Sequence, residues 1–169
     1  MLERIWSGWR ASYVENNPAT RAPDADGSVF TQLLQSGEPD EATHIVYRGT
    51  TVFALLNIFP YCTGHTLVLP YREIADIADL TSDESSELWA TLNDAVGAVR
   101  AAYAPDGVNV GFNLGRPAGG SVPTHLHAHV VPRWTGDSNF MSSVANTQTL
   151  PEALETSAAR LRDAWPVPR

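Results

Sequence analysis

Short apolar runs alternate with turn residues along the first two thirds of the chain, and each run predicts a β-strand. The first two runs flank a turn centred on Gly49, which is typical of a hairpin. Gly64 precedes the third run and Pro70 closes it, while Pro132 closes the last run. The five predicted strands cover residues 44–47, 51–57, 65–69, 108–114 and 125–131.

Apolar residues at helical spacing predict one long helix and one C-terminal helix within residues 151–165. Thr81 and Glu84 have the spacing of a capping box, in which each side chain satisfies a backbone N–H group of the other residue. The long helix ends before Pro105-Asp106-Gly107, and a short helical turn is predicted at 28–34. The apolar stripes consist of Leu88, Leu92, Val96 and Val99 in the long helix, and of Leu154, Ala158 and Leu161 in the C-terminal one.

The strands do not alternate one-to-one with helices, which predicts an α+β fold with a five-stranded, mainly antiparallel sheet. We expect a single domain over residues 1–169, with an N-terminal arm and loop (1–42), a core (43–134) and a C-terminal extension (135–169). The arm contains three spaced aromatic residues, which favour docking on the core or on a partner. These residues are Trp6, Trp9 and Tyr13.

Composition and charge narrow the function classes. The 169 residues carry a net charge of −8 and include no lysine, which excludes a lysine Schiff base and a Walker-type phosphate loop. A nucleic acid polymer needs a basic surface, so it is not an expected partner, although a few donors suffice for a mononucleotide. Cys62 is the single cysteine, and no apolar run is long enough to span a membrane. We therefore expect a cytoplasmic protein without a membrane partner.

Three histidines alternate in the last predicted strand, at His125, His127 and His129. Because strand side chains alternate between faces, these imidazoles share one face while Leu126 and Ala128 share the other. Neighbouring imidazoles titrate as a coupled set, since one positive charge disfavours a second. At least one ring is therefore expected to stay neutral, and so nucleophilic, near neutral pH.

A single strand histidine is usually a satisfied or surface side chain, but three at alternate positions indicate either a metal site or a nucleophile. The preceding loop contains Gly119, Gly120 and Ser121, whose flexible backbone and N–H groups suit phosphate oxygens. Asn113, on the previous strand, is expected to reach the same face. No cluster of Asp or Glu lies beside the histidines in the sequence. These surroundings favour a nucleophile that attacks phosphate, and a metal-binding sheet protein is the alternative.

The segments around these histidines resemble the signature of the histidine triad (HIT) nucleotide-binding family. Upstream segments resemble the ribose-binding and second-histidine segments of that family. The resemblance covers about residues 43–134 and implies a homodimer or higher homo-oligomer with a five-stranded antiparallel sheet. The matching segments are residues 57–61, 64–70, 111–115, 118–121 and 125–133.

The resemblance also implies a role for each site residue. His127 would attack the α-phosphate and form a nucleotidyl-histidine intermediate, and His129 would help the leaving group. His125 would orient the nucleophile through its ring hydrogen bonds, and His65 would support the cluster from the neighbouring strand. The implied substrate-binding residues are Asn57 at the ribose, Asn113 and Ser121 with Gly119 and Gly120 at the phosphates, and Phe53 and Leu55 at the base.

Many relatives in this family carry a zinc-binding Cys-x-x-Cys near the N-terminal end, within the pattern Gly-Cys-x-Phe-Cys. The matching stretch here is Gly27-Ser28-Val29-Phe30-Thr31, so hydroxyl residues occupy both cysteine positions. Hydroxyls are poor zinc ligands compared with thiolates. We therefore expect no structural zinc and no other cofactor.

Gly120 and residues 133–140 resemble one branch of the family, that of bacterial diadenosine tetraphosphate phosphorylases. Hydrolytic branches commonly have Gln where Gly120 stands, and a glycine removes a side chain that would fill space near the phosphate. In the phosphorylase branch inorganic phosphate, rather than water, takes the nucleotide from the histidine. The predicted function is therefore phosphorolysis of diadenosine tetraphosphate to ATP and ADP. The alternatives are a hydrolase of dinucleoside polyphosphates or nucleoside phosphoramidates, and a nucleotide-binding protein without turnover.

Overall fold

A computed structural model describes residues 27–137 and 152–166 of the chain. The aromatic residues of the N-terminal arm, Trp6, Trp9 and Tyr13, lie outside the described residues, as do residues 138–140 of the segment that resembles the phosphorylase branch. The described residues form five strands and four α-helices. The strands are β1 (Ile45–Arg48), β2 (Val52–Leu56), β3 (Thr66–Pro70), β4 (Gly107–Phe112) and β5 (Ala128–Arg133). The helices are α1 (Val29–Gln35), α2 (Asp40–Thr43), α3 (Ser82–Tyr103) and α4 (Leu154–Ala164).

All five strands form one antiparallel sheet in the order β1-β2-β3-β5-β4. This arrangement confirms the predicted α+β class and the predicted sheet. Two prolines that were expected to close strands instead belong to them. Pro70 is the last residue of β3, and Pro132 lies within β5, beyond the residues that pair with β3, where it pairs with Val108 of β4.

The two faces of the sheet carry separate apolar clusters, because residues paired across strands lie on the same face. Val68 and Ala128 are paired and belong to the cluster that packs against α3 and α4. Leu55 and Leu67 are paired and belong to the cluster on the other face, and Leu67 also pairs with His129. His129 therefore projects from the face that is turned away from the long helix.

The long helix α3 begins with the predicted capping box. The Thr81 side chain accepts a hydrogen bond from the Glu84 backbone N–H at 3.2 Å, and the Glu84 carboxylate accepts one from the Thr81 N–H at 2.8 Å. The helix ends where Ala104 adopts a left-handed conformation, just before Pro105. Between these ends its buried residues cover one face of the sheet, so α3 does not cover the opposite face, which carries His129.

The C-terminal helix α4 packs beside α3 and the outer strand β1. Leu161 is fully buried in the same apolar cluster as α3, and Trp165 stacks on Tyr47 of β1 with ring centroids 5.1 Å apart. The Arg162 guanidinium donates hydrogen bonds to the carbonyl oxygens of Ile45 and Asp40. The helix therefore belongs to the core of the domain. In the part of the chain that the structure describes, no helix is long and apolar enough to cross a membrane.

The strand that carries the histidines begins later than the sequence predicts. β5 starts at Ala128, so His125 and His127 precede it, His125 in a bend and His127 in irregular chain. In this segment the backbone N–H of Leu126 donates to the carbonyl of Ile74 at 2.6 Å. The segment therefore leaves the sheet ladder just before the strand, and other contacts must hold His125 and His127 in place.

The packing of α4 gives a direct stability test. We expect Leu161→Ala to lower the free energy of unfolding by about 2–5 kcal/mol, because it deletes a fully buried side chain from the core. Urea denaturation with linear extrapolation measures this change. The matched control is Thr156→Ala on the exposed side of the same helix, which should change it by less than about 0.5 kcal/mol. Equal effects of the two substitutions would show that α4 is not part of the folded core.

Candidate active site

Four buried histidines form the centre of the site. His65 immediately precedes β3, His125 and His127 precede β5, and His129 lies in β5. Their exposed fractions are 0%, 1%, 7% and 9% in that order. Ring centroids lie 5.1 Å apart for His127 and His129 and 5.2 Å apart for His65 and His129. The structure thus brings together all four residues that the sequence assigned to catalysis.

One hydrogen bond fixes the proton of His127. Its Nδ1 lies 2.7 Å from the backbone carbonyl oxygen of His125. A carbonyl oxygen only accepts, so Nδ1 must carry the proton and donate it. In the neutral ring the lone pair is then on Nε2. The Nε2 lone pair of His127 is therefore free of the proton in this arrangement.

The ring of His125 makes different contacts from those that the resemblance implied. Its Nε2 lies 2.8 Å from the carbonyl oxygen of Pro70, and its Nδ1 lies 2.7 Å from Ser28 Oγ. The direct contact between His125 and His127 is therefore made by the His125 backbone carbonyl, and the ring hydrogen bonds hold His125 itself. Both ring nitrogens are engaged, so the three alternating histidines do not turn three lone pairs toward a common metal ion.

His65 and His129 form a second chain of hydrogen bonds whose direction is also fixed. The Tyr61 backbone N–H donates to His65 Nδ1 at 3.0 Å, so the His65 proton must lie on Nε2. That Nε2–H donates to His129 Nδ1 at 2.9 Å, which leaves the His129 proton on Nε2. The Tyr61 ring packs over both imidazoles, with centroids 4.6 Å from His65 and 5.8 Å from His129. His129 is therefore a donor through Nε2.

The Asn113 amide accepts a hydrogen bond from His129 Nε2–H. The atom of Asn113 placed nearest to His129 Nε2 is its amide nitrogen Nδ2, at 3.2 Å. Because Nε2 carries the proton, the Asn113 amide must present its oxygen, and amide oxygen and nitrogen exchange by a half-turn of the side chain. After this half-turn the amide nitrogen points away from His129. Asn113 thus offers N–H donors beside the histidine that donates from Nε2.

Burial keeps these rings neutral. Burial, with a smaller contribution from neighbouring imidazoles, lowers the pKa of His65 to about 3 and that of His129 to about 4. Burial also lowers the pKa of His125 and of His127. Mutual repulsion, which the sequence suggested as the cause, is therefore secondary to desolvation. At neutral pH the Nε2 lone pair of His127 is available.

The predicted ribose and base residues lie on the same side of the sheet as the histidines. Asn57 Oδ1 accepts the Phe59 N–H at 3.0 Å, and its amide nitrogen lies 3.5 Å from His65 Nδ1. Phe53 and Leu55 are 0% and 2% exposed and belong to the apolar cluster of the histidine face. A base would therefore meet the side chains that cover them before it met these two residues. Their place in a base pocket stays a prediction.

The glycines before the triad shape their loop. The N–H groups of Gly119 and Gly120 donate to the carbonyls of Arg116 and Gly115, so both are engaged within the loop, and their contact with phosphate oxygens stays a prediction. A Cβ on Gly120 would lie 2.9 Å from the Asn113 carbonyl oxygen and 3.0 Å from that of Gly115. The space beside Gly120 is therefore taken by backbone rather than left open, which corrects the sequence interpretation. The loop leads into half-buried Ser121.

Sequence reasoning missed several residues that contact the histidines. Tyr61 holds His65 by its backbone and covers it with its ring, and Pro70 holds His125 by its carbonyl. Ser28 was considered only as a replacement for a zinc ligand, yet its hydroxyl bonds His125. Backbone donors and acceptors have no sequence signature. Among these residues only Ser28 has a sequence signature, because serine is a typical N-cap residue whose side chain accepts the backbone N–H three residues later, here that of Thr31.

Comparison with known proteins identifies the family that the chain matches. The model of the HIT domain family matches residues 38–136. The chain is 40% identical to a protein of Mycobacterium tuberculosis named AP-4-A phosphorylase, over 97% of this chain and 85% of that protein. It is 36% identical to the bis(5'-adenosyl)-triphosphatase of Saccharomyces cerevisiae, over 53% of this chain and 44% of that protein. A zinc-bound histidine triad family protein from Mycobacterium smegmatis has 29% identity and a TM-score of 0.64, covering 80% of this chain and 91% of that one.

The lowered pKa values predict how stability depends on pH. In the folded protein His65 and His129 stay neutral down to about pH 4, whereas an unfolded histidine takes up a proton below its ordinary pKa of 6.5. The unfolded state therefore binds more protons in this range, so the free energy of unfolding should fall as the pH is lowered from 6.5 toward 4. Urea denaturation at several pH values measures this change, and NMR titration follows the two rings. Ring midpoints near 6.5 would contradict the burial of these histidines in the folded protein.

Proposed function

The chain belongs to the HIT domain family, and from this membership we propose that it transfers a nucleotidyl group from a dinucleoside polyphosphate by way of His127. One observation carries the proposal. The His127 Nδ1–H is held by a backbone carbonyl, which leaves the Nε2 lone pair as a neutral nucleophile in a buried site. A histidine nucleophile divides a difficult transfer at phosphorus into two displacements.

In the first displacement His127 Nε2 attacks the α-phosphorus. A P–N bond forms, and the bond between that phosphorus and the bridging oxygen breaks, so the electron pair leaves with the departing nucleotide. His129 Nε2–H would donate a hydrogen bond to the leaving oxygen, because the contact with His65 keeps the ring proton on that atom. The leaving nucleotide departs as a phosphate anion and takes no proton from the ring. This hydrogen bond would stabilise the negative charge that develops on the leaving oxygen.

In the second displacement an oxygen of the acceptor attacks the phosphorus and the P–N bond breaks. The electron pair returns to His127 Nε2, and the nucleotide leaves the histidine. With inorganic phosphate as the acceptor, diadenosine tetraphosphate gives ATP in the first step and ADP in the second. With water as the acceptor, the second product is AMP.

Phosphate is the acceptor that we propose. The supporting observation is that the relative named AP-4-A phosphorylase aligns with nearly the whole of this chain. The yeast triphosphatase aligns with about half of it. A hydrolase acting on dinucleoside polyphosphates is therefore the second candidate.

The substrate contacts follow from the placement of the side chains. Asn113 would donate to α-phosphate oxygens from its amide nitrogen, and Ser121 would donate from its hydroxyl. Asn57 would bind the ribose hydroxyls. In a chain with a net charge of −8, such neutral donors would stabilise an anionic substrate by position rather than by bulk charge. The nucleotide substrate and the single cysteine also support a cytoplasmic location.

A homodimer is proposed through the edge strand β4. This strand lies at the end of the sheet, and Val110 within it is 46% exposed. An exposed edge strand can pair with a second copy of the chain. Light scattering should therefore give twice the mass of one chain, and Val110→Asp should halve it. A wild-type protein with the mass of one chain would contradict the dimer.

The product pattern tests the function. With diadenosine tetraphosphate and inorganic phosphate, we expect the protein to form ATP and ADP in equal amounts, and His127→Ala should lower kcat by roughly 1,000-fold or more because it removes the nucleophile. Chromatography of the nucleotides over time measures both. His127→Ala should retain nucleotide affinity, since the substrate-binding groups remain.

The matched control is His44→Asn. His44 lies outside the histidine cluster and adopts a left-handed conformation that asparagine tolerates, so kcat should be close to that of the wild type. Phosphate-independent release of AMP as the main product would favour the hydrolase. Unchanged turnover in His127→Ala would exclude the proposed nucleophile.

A further inference from the structure

A cluster of polar side chains contacts His125, the first histidine of the triad. Ser28 Oγ is 2.7 Å from His125 Nδ1, and Thr31 Oγ1 is 2.6 Å from Glu73 Oε2. The Ser28 backbone N–H donates to the same Glu73 oxygen at 2.8 Å. Ser28 and His125 are buried, with 5% and 1% of their surface exposed. The cluster connects the start of α1 to the histidine segment.

The direction of each hydrogen bond in this cluster follows from chemistry. His125 Nε2 donates to the Pro70 carbonyl, so in the neutral ring Nδ1 accepts from the Ser28 hydroxyl. Thr31 donates its hydroxyl proton to the Glu73 carboxylate. Burial by itself would raise the pKa of Glu73, but hydrogen bonds from Ser28 and Thr31 outweigh it and lower that pKa. A neutral imidazole and a charged carboxylate therefore satisfy every partner.

Gly27 allows Glu73 to approach the start of α1. Its φ of +85° is a conformation that favours glycine, and a Cβ there would lie 2.9 Å from Glu73 Oε2. The approach lets one carboxylate oxygen accept from both the Ser28 N–H and the Thr31 hydroxyl. The backbone around Glu73 also holds the triad, because the carbonyl of Ile74 accepts the Leu126 N–H.

These contacts matter because the histidine segment lies outside the sheet ladder. His125 and His127 precede β5, so regular strand pairing does not fix their peptide planes. Ser28 and the Pro70 carbonyl hold the His125 ring from its two nitrogens. A fixed ring restricts the His125 peptide, whose carbonyl holds the proton of His127. A loose His125 would let the nucleophile change tautomer or orientation.

The same cluster decides whether a metal fits at this position. A zinc ion bound by His125 would need the Nδ1 or Nε2 lone pair, but Nε2 carries a proton and the Nδ1 lone pair is engaged by Ser28. The hydroxyls of Ser28 and Thr31 are neutral donors that are already bonded to His125 and Glu73. These residues do not fit a zinc site of the thiolate type.

We propose that Ser28, Thr31 and Glu73 are positioning residues that hold the His125 ring without a metal and, through the His125 carbonyl, hold the nucleophile His127. The inference rests on the proposed function of His127. It assigns to hydrogen bonds at the start of α1 the task of fixing the histidine segment.

Substitutions in the cluster test this inference by separating kcat from KM. Ser28→Ala should lower kcat by roughly 10- to 100-fold with KM within about twofold, because a small displacement of the nucleophile slows the reaction more than it weakens binding. Thr31→Val, which removes the hydroxyl at nearly constant volume, should lower kcat in the same direction. Thr31→Ser, which keeps the hydroxyl, should retain most of it.

The matched control is Ser36→Ala at the other end of α1. Its hydroxyl donates to the Leu33 carbonyl and is exposed, so kcat should not change. The chelator-washed wild-type protein should keep its full rate and contain no stoichiometric zinc. Wild-type kcat in both Ser28→Ala and Thr31→Val would overturn the proposal, as would about one zinc per chain whose removal abolishes turnover.

A separate measurement distinguishes failure of this inference from failure of the proposed function. If the wild-type protein does not turn over diadenosine tetraphosphate, the function fails, but the cluster is still testable by ¹⁵N NMR of the His127 ring. The wild-type protein should show a proton on Nδ1 alone, and Ser28→Ala should give a mixture of tautomers. An unchanged His127 signal in Ser28→Ala would overturn the positioning role.

Discussion

The hydrogen bond from His127 Nδ1 to the carbonyl oxygen of His125 is the contact on which the rest of the site depends. It places the reactive lone pair on Nε2, and it exists only if the peptide between the two residues keeps its orientation. That peptide lies before β5, so contacts outside the ladder must hold it. The Pro70 carbonyl and the Ser28 hydroxyl hold the ring of His125 from opposite sides. The strands thus supply a rigid frame, and a few side chains and carbonyls complete it.

Burial and directed hydrogen bonds, rather than positive charge, set the electrostatics of this site. The chain has no lysine and a net charge of −8, so its surface does not attract phosphate. Within the site, desolvation keeps the imidazoles neutral, so the Nε2 lone pair of His127 is available and His129 donates from Nε2. A chain of hydrogen bonds from the Tyr61 N–H through His65 to His129 then fixes the His129 proton on Nε2. The site therefore depends on hydrogen-bond donors with fixed directions rather than on the net charge of the chain.

The sequence predicted the fold well because local sequence patterns determine most of its helices and strands. Capping residues marked the start of α3, alternating apolar residues marked the strands, and the family signature marked the histidines. The sequence did not predict features that depend on contacts of backbone atoms. The start of β5 could not be foreseen, because the Leu126 N–H leaves the ladder for a carbonyl that is distant in the sequence, that of Ile74. The role of Glu73 depends on the close approach that Gly27 permits, and no periodicity reports such an approach.

The central claim is that the nucleotidyl group is bonded to His127 before it reaches the acceptor. The stereochemical course at phosphorus tests this most directly. A dinucleoside polyphosphate with a chiral phosphorothioate at the α-position is converted with phosphate as acceptor, and the configuration of the product is determined. Two in-line displacements through His127 each invert the phosphorus, so the account predicts overall retention. Overall inversion would mean that the acceptor attacks the substrate directly, and it would contradict the covalent role of His127.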